Sequence, residues 1–304
     1  MNKTLLSIAT VERETGLAKD TLRVWERRYG FPQPERDAHG ERVYTMEQVE
    51  KLRLIKRLMG QGWRPGRLMA TPDEELANLA ALPEPMAEAP ENNALQGMIV
   101  ELIRKHDIPA LGNALRQVLH RQGLQQFVLE TVSALNRAVG DAWMRGDIQV
   151  FEEHLYTEQM QALLRQSIGA LPPGSARPRI LLTTVPEEQH VLGILMLEVL
   201  LTLEGAACLP LGTQTPLADI SQAARAQQAD IVALSFSSAF PSRQVVPLLS
   251  QLRGMIEDDV ALWAGGDGVE RLTAPQGVLL MTDLKIALET LALWRVAHLD
   301  RSAG

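Results

Sequence analysis

Between Arg179 and Met281 five short apolar runs recur, RILLTTV, AACLPLG, DIVALSF, VALWAGG and VLLM, each separated from the next by a segment of loop or helix length. Apolar runs of four to seven residues suit strands buried on both faces, and their alternation with helical segments is the pattern of parallel strands joined by crossovers. The pattern predicts an α/β domain over 179–304, a flavodoxin-like (Rossmann-type) parallel sheet with helices on both faces. In such a sheet a ligand lies beyond the carboxyl ends of the strands.

The chain upstream obeys different periods. From 94 to 171 the only proline is Pro109, and apolar residues recur at helical spacing in IVELIRKH, LGNALRQVLH, FVLETVSALNRAVGDAW and FEEHLYTEQMQALLRQ, which predicts a four-helix bundle. Two stretches have the composition of linkers, 76–93, rich in proline and acids, and 172–178, PPGSARP. Residues 1–75 then stand as a separate head.

Charge is divided along the same lines. The net charge is −7, yet residues 1–70 hold fourteen Lys and Arg against nine Asp and Glu, while the remainder holds sixteen against twenty-eight. A basic head on an acidic body directs only the head toward a polyanion. The single cysteine, Cys208, excludes an internal disulfide and a CxxC metal site, and reads as a small apolar residue or, failing that, a nucleophile. No basic-then-apolar leader and no apolar run of about 18 residues appears, so the expectation is a cytoplasmic protein with no membrane segment.

SIATVERETGLAKDTLRVWERRYGFP reads as helix, turn, helix. Ile8, Val11 and Leu22 can pack together, Gly16 marks the turn, and Lys19 opens a second helix carrying Thr21, Arg23, Arg27, Arg28 and Tyr29. Spacings of three and four gather several of these on one surface, as insertion into a major groove requires. QPERDAHGERVYT, turning at Gly40, reads as a β-wing whose Arg36 and Arg42 reach phosphates. The alternative is a solvated basic helix in another small domain. TLRVWERRYG, the R…HGERVY wing and VEKLRLIKRLMGQG resemble the MerR-type winged-helix regulators over residues 6–69. That resemblance implies double-stranded operator DNA as partner, with Thr21, Arg23 and Arg27 at the groove and Arg42 with Tyr44 in the wing. Ala18 stands where that family often has a serine cap.

PEEQHVLG, residues 186–193, follows the first strand and places His190 at its mouth. A histidine there is either a solvated or capping residue or a metal ligand; as a ligand it needs an acceptor on its second nitrogen, and Glu188 is near enough to supply one. After Gly193 come 41 residues and then Ser235 and Ser237 at the third strand's end; after Ser237 come 27 and then Gly265 and Gly266 at the fourth's. An acid-x-H-x-x-G, a serine and a glycine pair in that register resemble the cobalamin-binding domain. The resemblance implies His190 as lower ligand to cobalt in place of the cofactor's own base, Glu188 as its support, and Ser235, Gly193, Gly265 and Gly266 around a slot for the displaced nucleotide tail. Glu188 replaces the commoner Asp, and Ser237 stands where that pattern has leucine.

Trp143, nine intervening residues and Glu153–His154 resemble the bundle of the cobalamin-dependent photoreceptor regulators of the CarH and LitR type. Each residue alone also suits a plain helix, the tryptophan as core and the Glu–His pair as surface. By resemblance Trp143, Glu153 and His154 line the upper face of adenosylcobalamin, and Met144 stands where the CarH-like branch has histidine. The implied protein is no enzyme but a light-responsive regulator, a tetramer in the dark that dissociates and releases DNA after photolysis. The alternatives are a regulator with a vestigial or differently filled pocket and, less in keeping with the head, a corrinoid enzyme domain.

Overall fold

The computed structural model describes residues 5–60, 63–73, 75–76, 79, 90–172, 174 and 176–298. Two compact units emerge, Met1–Asp107 with Ala134–Leu155, and Ile108–Ser133 with Tyr156–Gly304. No helix among the described residues is long and apolar enough to cross a membrane.

The head in the first unit runs β1 (Leu5–Ser7), α1 (Ile8–Thr15), α2 (Lys19–Tyr29), β2 (Glu35–Arg36), β3 (Arg42–Thr45), α3 (Met46–Gly60) and α4 (Pro65–Ala70). The strands form an antiparallel sheet in the order β1-β3-β2. Ser7 caps α1, its Oγ accepting from Thr10 N at 3.3 Å, and Gly16 ends the helix at φ +63°. Val11, Leu22, Trp25, Leu52, Ile55 and Leu58 are all buried in one core, with Ile8 packed against it. Ala18 gives α2 no side-chain cap. Glu12, one helix earlier, does so instead: its carboxylate accepts from Lys19 N at 3.0 Å and pairs with Lys19 Nζ at 3.3 Å. A carboxylate at a helix N-terminus also meets the positive end of the helix dipole.

Four helical stretches follow, shared between the two units: α5 (Pro90–Arg104); α6 (Ile108–Gln122); α7 (Leu124–Gln126), which passes through a π-helical turn (Phe127–Val132) into α8 (Ser133–Arg145); and α9 (Val150–Ala170). The expected linker at 76–93 falls mostly outside the described residues. Its last part is helical, because Pro90, a residue suited to the first turn, already opens α5. Strand β4 (Ala176–Thr183) likewise begins inside the second expected linker.

The second unit's sheet holds β4, β5 (Ala206–Gly212), β6 (Ile231–Ser235), β7 (Ala261–Gly265) and β8 (Val278–Met281), all parallel, in the order β5-β4-β6-β7-β8. This is the flavodoxin-like order, with its switch point between β4 and β6. The intervening helices are α10 (Leu192–Leu203), α11 (Leu217–Ala226), α12 (Ser242–Arg253) and α13 (Leu284–His298), with a 3-10 turn at Asp267–Val269. Alternate strand residues divide the core in two. Val232, Leu234, Leu262 and Ala264 pack with α11 and α12, while Ile231, Ala233 and Trp263 pack with α10 and α13. The π-turn lies against α10.

Candidate cofactor site and DNA-reading surface

The site begins with a turn. Val185, Pro186, Glu187 and Glu188 close on a bond from Glu188 N to Val185 O at 3.1 Å, with Glu187 at φ +71°. Proline second and positive φ third is the pattern of a type II turn, which here holds a glutamate where glycine is favoured. Thr184 pins the turn, its Oγ1 donating to Glu188 O at 2.6 Å and accepting from Gln214 N at 2.9 Å. The turn drives the Glu188 side chain into the protein, where it is 1 % exposed.

That buried carboxylate is fully engaged. Oε1 accepts from His190 N at 3.0 Å and meets His190 Nδ1 at 2.7 Å; Oε2 accepts from Ser237 N at 2.8 Å and Ser237 Oγ at 2.9 Å. Ser237 Oγ lies 2.9 Å from His190 Nδ1 as well. Burial raises the Glu188 pKa, but the hydrogen bonds from His190 and Ser237 outweigh it and hold the carboxyl below its ordinary value. An ionised Glu188 requires Nδ1 to carry a proton, so that in the neutral ring Nε2 holds the lone pair. The ring itself is 61 % exposed. Serine where leucine was expected is therefore part of the histidine's support. It meets Glu188 because β4 and β6 are neighbours at the switch point.

Above the strand ends side chains are missing where space is short. A Cβ on Gly193 would stand 2.7 Å from Ser235 Oγ, one on Gly265 3.1 Å from Met281 O, and one on Gly266, at φ +94°, 2.4 Å from Phe236 O. At each of these positions a side chain would collide with the neighbouring strand end, so α10, β6, β7 and β8 approach one another closely only because glycine stands there. Among the described residues no group of three or more His, Cys, Asp or Glu is arranged to hold a metal ion. One supported imidazole does not chelate a bare ion, but it completes the sphere of a metal whose other ligands arrive with a macrocycle. The donor set thus fits cobalamin.

Trp143 lies on α8 and the Glu153–His154 pair on α9, in the first unit. The Trp143 Nε1 is buried with no hydrogen-bond partner among the described residues, and His154 Nδ1 meets Glu153 Oε2 at 2.8 Å with the ring 62 % exposed. Sequence reasoning passed over Glu152, the buried acid of this segment, which accepts from Gln149 N at 2.6 Å and meets His106 Nε2 at 2.8 Å. It also passed over Thr184 and Trp263, which look like ordinary strand residues.

On α2, Arg23, Arg27 and Arg28 are exposed, Lys19, Thr21 and Tyr29 half-buried, and Leu22 and Trp25 face the core. Two of the wing residues are drawn inward. Tyr44 is fully buried in the core of the head, and its hydroxyl has no partner among the described residues. Arg42 turns inward onto α2, its Nε donating to Glu26 Oε2 at 2.8 Å, because a half-buried carboxylate stands within its reach. It ties the wing to the second helix. Arg36 stays exposed, bonded across the wing turn to Gly40 O at 2.6 Å.

The family described as MerR HTH family regulatory protein matches residues 6–67, and that described as B12 binding domain matches 95–166. The HTH-type transcriptional repressor CarA of Myxococcus xanthus is 32% identical over 235 residues, covering 77% of this chain and 77% of that protein. The repressor CarH of the same organism is 28% identical over 258 residues, covering 83% and 85%. Among solved structures, the monomethylamine corrinoid protein of Methanosarcina barkeri superposes with a TM-score of 0.51 at 16% identity, covering 66% of this chain and 99% of that one, a likeness of fold.

Proposed function

Since the chain belongs to the family of HTH-type transcriptional repressors that includes CarA and CarH, we propose that it is a light-responsive repressor that carries adenosylcobalamin on His190 and reads operator DNA with its head. At the coarser level it is a cobalamin-binding transcriptional regulator with a MerR-type DNA-binding domain. The observation that carries the finer reading is the exposed imidazole held through Nδ1 by a buried, four-times-bonded carboxylate. That arrangement fixes orientation and tautomer and aims one nitrogen lone pair outward, as an axial metal ligand requires.

In this reading His190 Nε2 holds cobalt and displaces the cofactor's own base. Gly193, Ser235, Gly265 and Gly266 admit the displaced tail, while Trp143, Glu153 and His154 carry over from the resemblance alone as the residues on the adenosyl side. Bound adenosylcobalamin supplies a cobalt–carbon bond that light cleaves. The protein's part is to pack against the adenosyl group in the dark and to change arrangement once that group has gone. Several chains joined in the dark, as a tetramer, bind DNA far more tightly than separate heads, so their separation releases the operator without altering any base contact. Arg23, Arg27 and Arg28 meet the DNA from α2, with Lys19, Thr21 and Tyr29 beside them, and Arg36 meets it from the wing. With Met144 where the CarH-like branch has histidine, the light state gains at most a weak thioether ligand at that position.

The test is reconstitution of the whole chain with adenosylcobalamin in darkness, followed by absorption spectra, mass in solution and operator binding before and after green light. Co-elution of the corrinoid, a fall in mass and loss of DNA binding on illumination are expected. No co-elution refutes the cofactor reading, and unchanged mass and DNA affinity after photolysis refute the light reading. A His190→Ala chain that keeps the wild-type cobalt spectrum removes His190 as ligand.

A further inference from the structure

Trp263 lies in the middle of β7, is 1 % exposed, and heads the largest fully buried side chains. Its Nε1 is buried with no hydrogen-bond partner among the described residues. An indole N–H can only donate, and a buried donor without an acceptor is uncommon because it has given up water for nothing.

Strand register fixes the level and the face of the sheet at which Trp263 stands relative to the proposed cofactor slot. Trp263 pairs with Ala233 on β6, and two residues on, Gly265 pairs with Ser235. A spacing of two keeps residues on one face of a sheet. Trp263 and Ala233 therefore form the layer directly beneath Ser235 and Gly265, on the face covered by α10 and α13. That is the face on which Gly193 of α10 comes up against Ser235. The same layer is otherwise apolar, with Ala233, Ile194 and Met281 buried in the cluster that holds Trp263. A phosphate would be desolvated there without a cation to meet it, whereas a flat aromatic base would lose little.

We propose that the Trp263 indole N–H is the hydrogen-bond donor for the aromatic base of the cobalamin nucleotide tail, at the floor of the slot beneath Ser235 and Gly265. This rests on the reading that His190 takes the base's place on cobalt. A benzimidazole nitrogen that has left the metal carries an exposed lone pair and, in an apolar slot, needs a donor. Among the described residues the Trp263 N–H is the unmatched donor at that level, and the two deficits cancel. Trp263 then rewards the form of the cofactor in which the base is detached, and adds discrimination for corrinoids that carry a base.

The experiment titrates the whole chain in darkness with adenosylcobalamin and with adenosylcobinamide, which has the same ring and adenosyl group but no nucleotide tail. Trp263→Phe keeps an aromatic ring and deletes the donor. The expected result is about a tenfold loss of affinity for adenosylcobalamin, the scale of one buried hydrogen bond, with adenosylcobinamide affinity within about twofold of wild type. Equal losses for both ligands, or no loss for either, overturn the proposal while leaving His190 as ligand intact. Failure of the wild-type chain to bind any corrinoid overturns the parent reading, and this one with it. Should Trp263→Phe fail to fold, tryptophan-labelled wild-type chain supplies the answer by NMR. One of the five indole N–H resonances then shifts downfield and exchanges more slowly with adenosylcobalamin but not with adenosylcobinamide; five resonances that respond alike to both ligands refute it.

Discussion

Glu188→Gln changes one oxygen to an NH2 group and alters little else in shape, which makes it the sharpest probe of the site. The wild-type carboxylate accepts four hydrogen bonds, two from His190 and two from Ser237, while 1 % exposed. A glutamine keeps one acceptor oxygen. If that oxygen stays on His190, the new NH2 faces the Ser237 N–H, donor against donor, and the Ser237 hydroxyl has to turn. An unsatisfied buried N–H costs about 1–3 kcal/mol, and losing the charge on the retained bonds adds about another 1 kcal/mol. The expected destabilisation is therefore about 2–4 kcal/mol, confined to the junction of β4 and β6. A chain of several units does not unfold in two states, so the assay is native-state hydrogen exchange on the β4 and β6 amides. At 1.36 kcal/mol per decade, those amides should exchange about 30 to 900 times faster in the variant. Rates within threefold of wild type would mean that the four bonds do not anchor the loop, and would refute the reasoning.

Tyr44→Phe removes a buried hydroxyl that has no partner among the described residues; head stability should rise by about 1 kcal/mol in urea unfolding while operator affinity stays put, and a loss of DNA binding would return Tyr44 to the interface. Arg27→Ala, on the exposed side of α2, should weaken operator binding and, if Arg27 meets a phosphate, lower the slope of log affinity against log salt by about 1; unchanged affinity at every salt concentration tells against the groove assignment. Burial, foremost, pushes the Cys208 thiol up to about 11. At pH 8 only about one thiol in a thousand is then ionised, so iodoacetamide should modify the native chain more than about a hundredfold slower than the denatured one. Because that folded pKa is raised, the associated stability is fully present below the unfolded thiol's pKa and is lost as pH rises through about 11.

The five strands were legible because each contains a short continuous apolar run, which burial on both faces favours in the inner strands, although the edge strands β5 and β8 keep exposed residues such as Leu211 and Leu279. The order β5-β4-β6-β7-β8 follows from the same parallel class, and with it the expectation that His190 and Ser235 stand at strand ends. What stayed hidden needed tertiary neighbours. Ser237 looked like a departure from a leucine, and only the pairing of β4 with β6 brings it to Glu188, 49 residues away. Ala18 looked like a missing cap until α1 folded back with Glu12. Arg42 and Tyr44 have polar tips that suggest surface, yet Glu26 turns one inward and the head core absorbs the other. The π-turn at Phe127–Val132 leaves no mark either, since FVLETV has the same apolar character in an α-helix.

Hydrogen-bond accounting separates two kinds of polar group in this chain. The buried Glu188 is satisfied by the protein's own donors, which is what the proposed role of His190 as a pre-positioned ligand calls for. Three buried groups among the described residues are not satisfied: Tyr44 Oη, Trp143 Nε1 and Trp263 Nε1. All three look alike on the ledger of the isolated chain, and deleting any of them relieves a similar desolvation cost. They part company once an acceptor is supplied from outside. Tyr44 is enclosed in the core of the head, so Tyr44→Phe should gain stability and leave corrinoid affinity as it was. Trp263 lies one layer under the glycines and serine of the slot, so Trp263→Phe should relieve the same kind of strain in the empty chain yet lose affinity for the tailed cofactor. Opposite outcomes from the same atomic deletion distinguish a defect of packing from a donor kept for a ligand. Equal outcomes at both positions would reduce the Trp263 donor to the first kind.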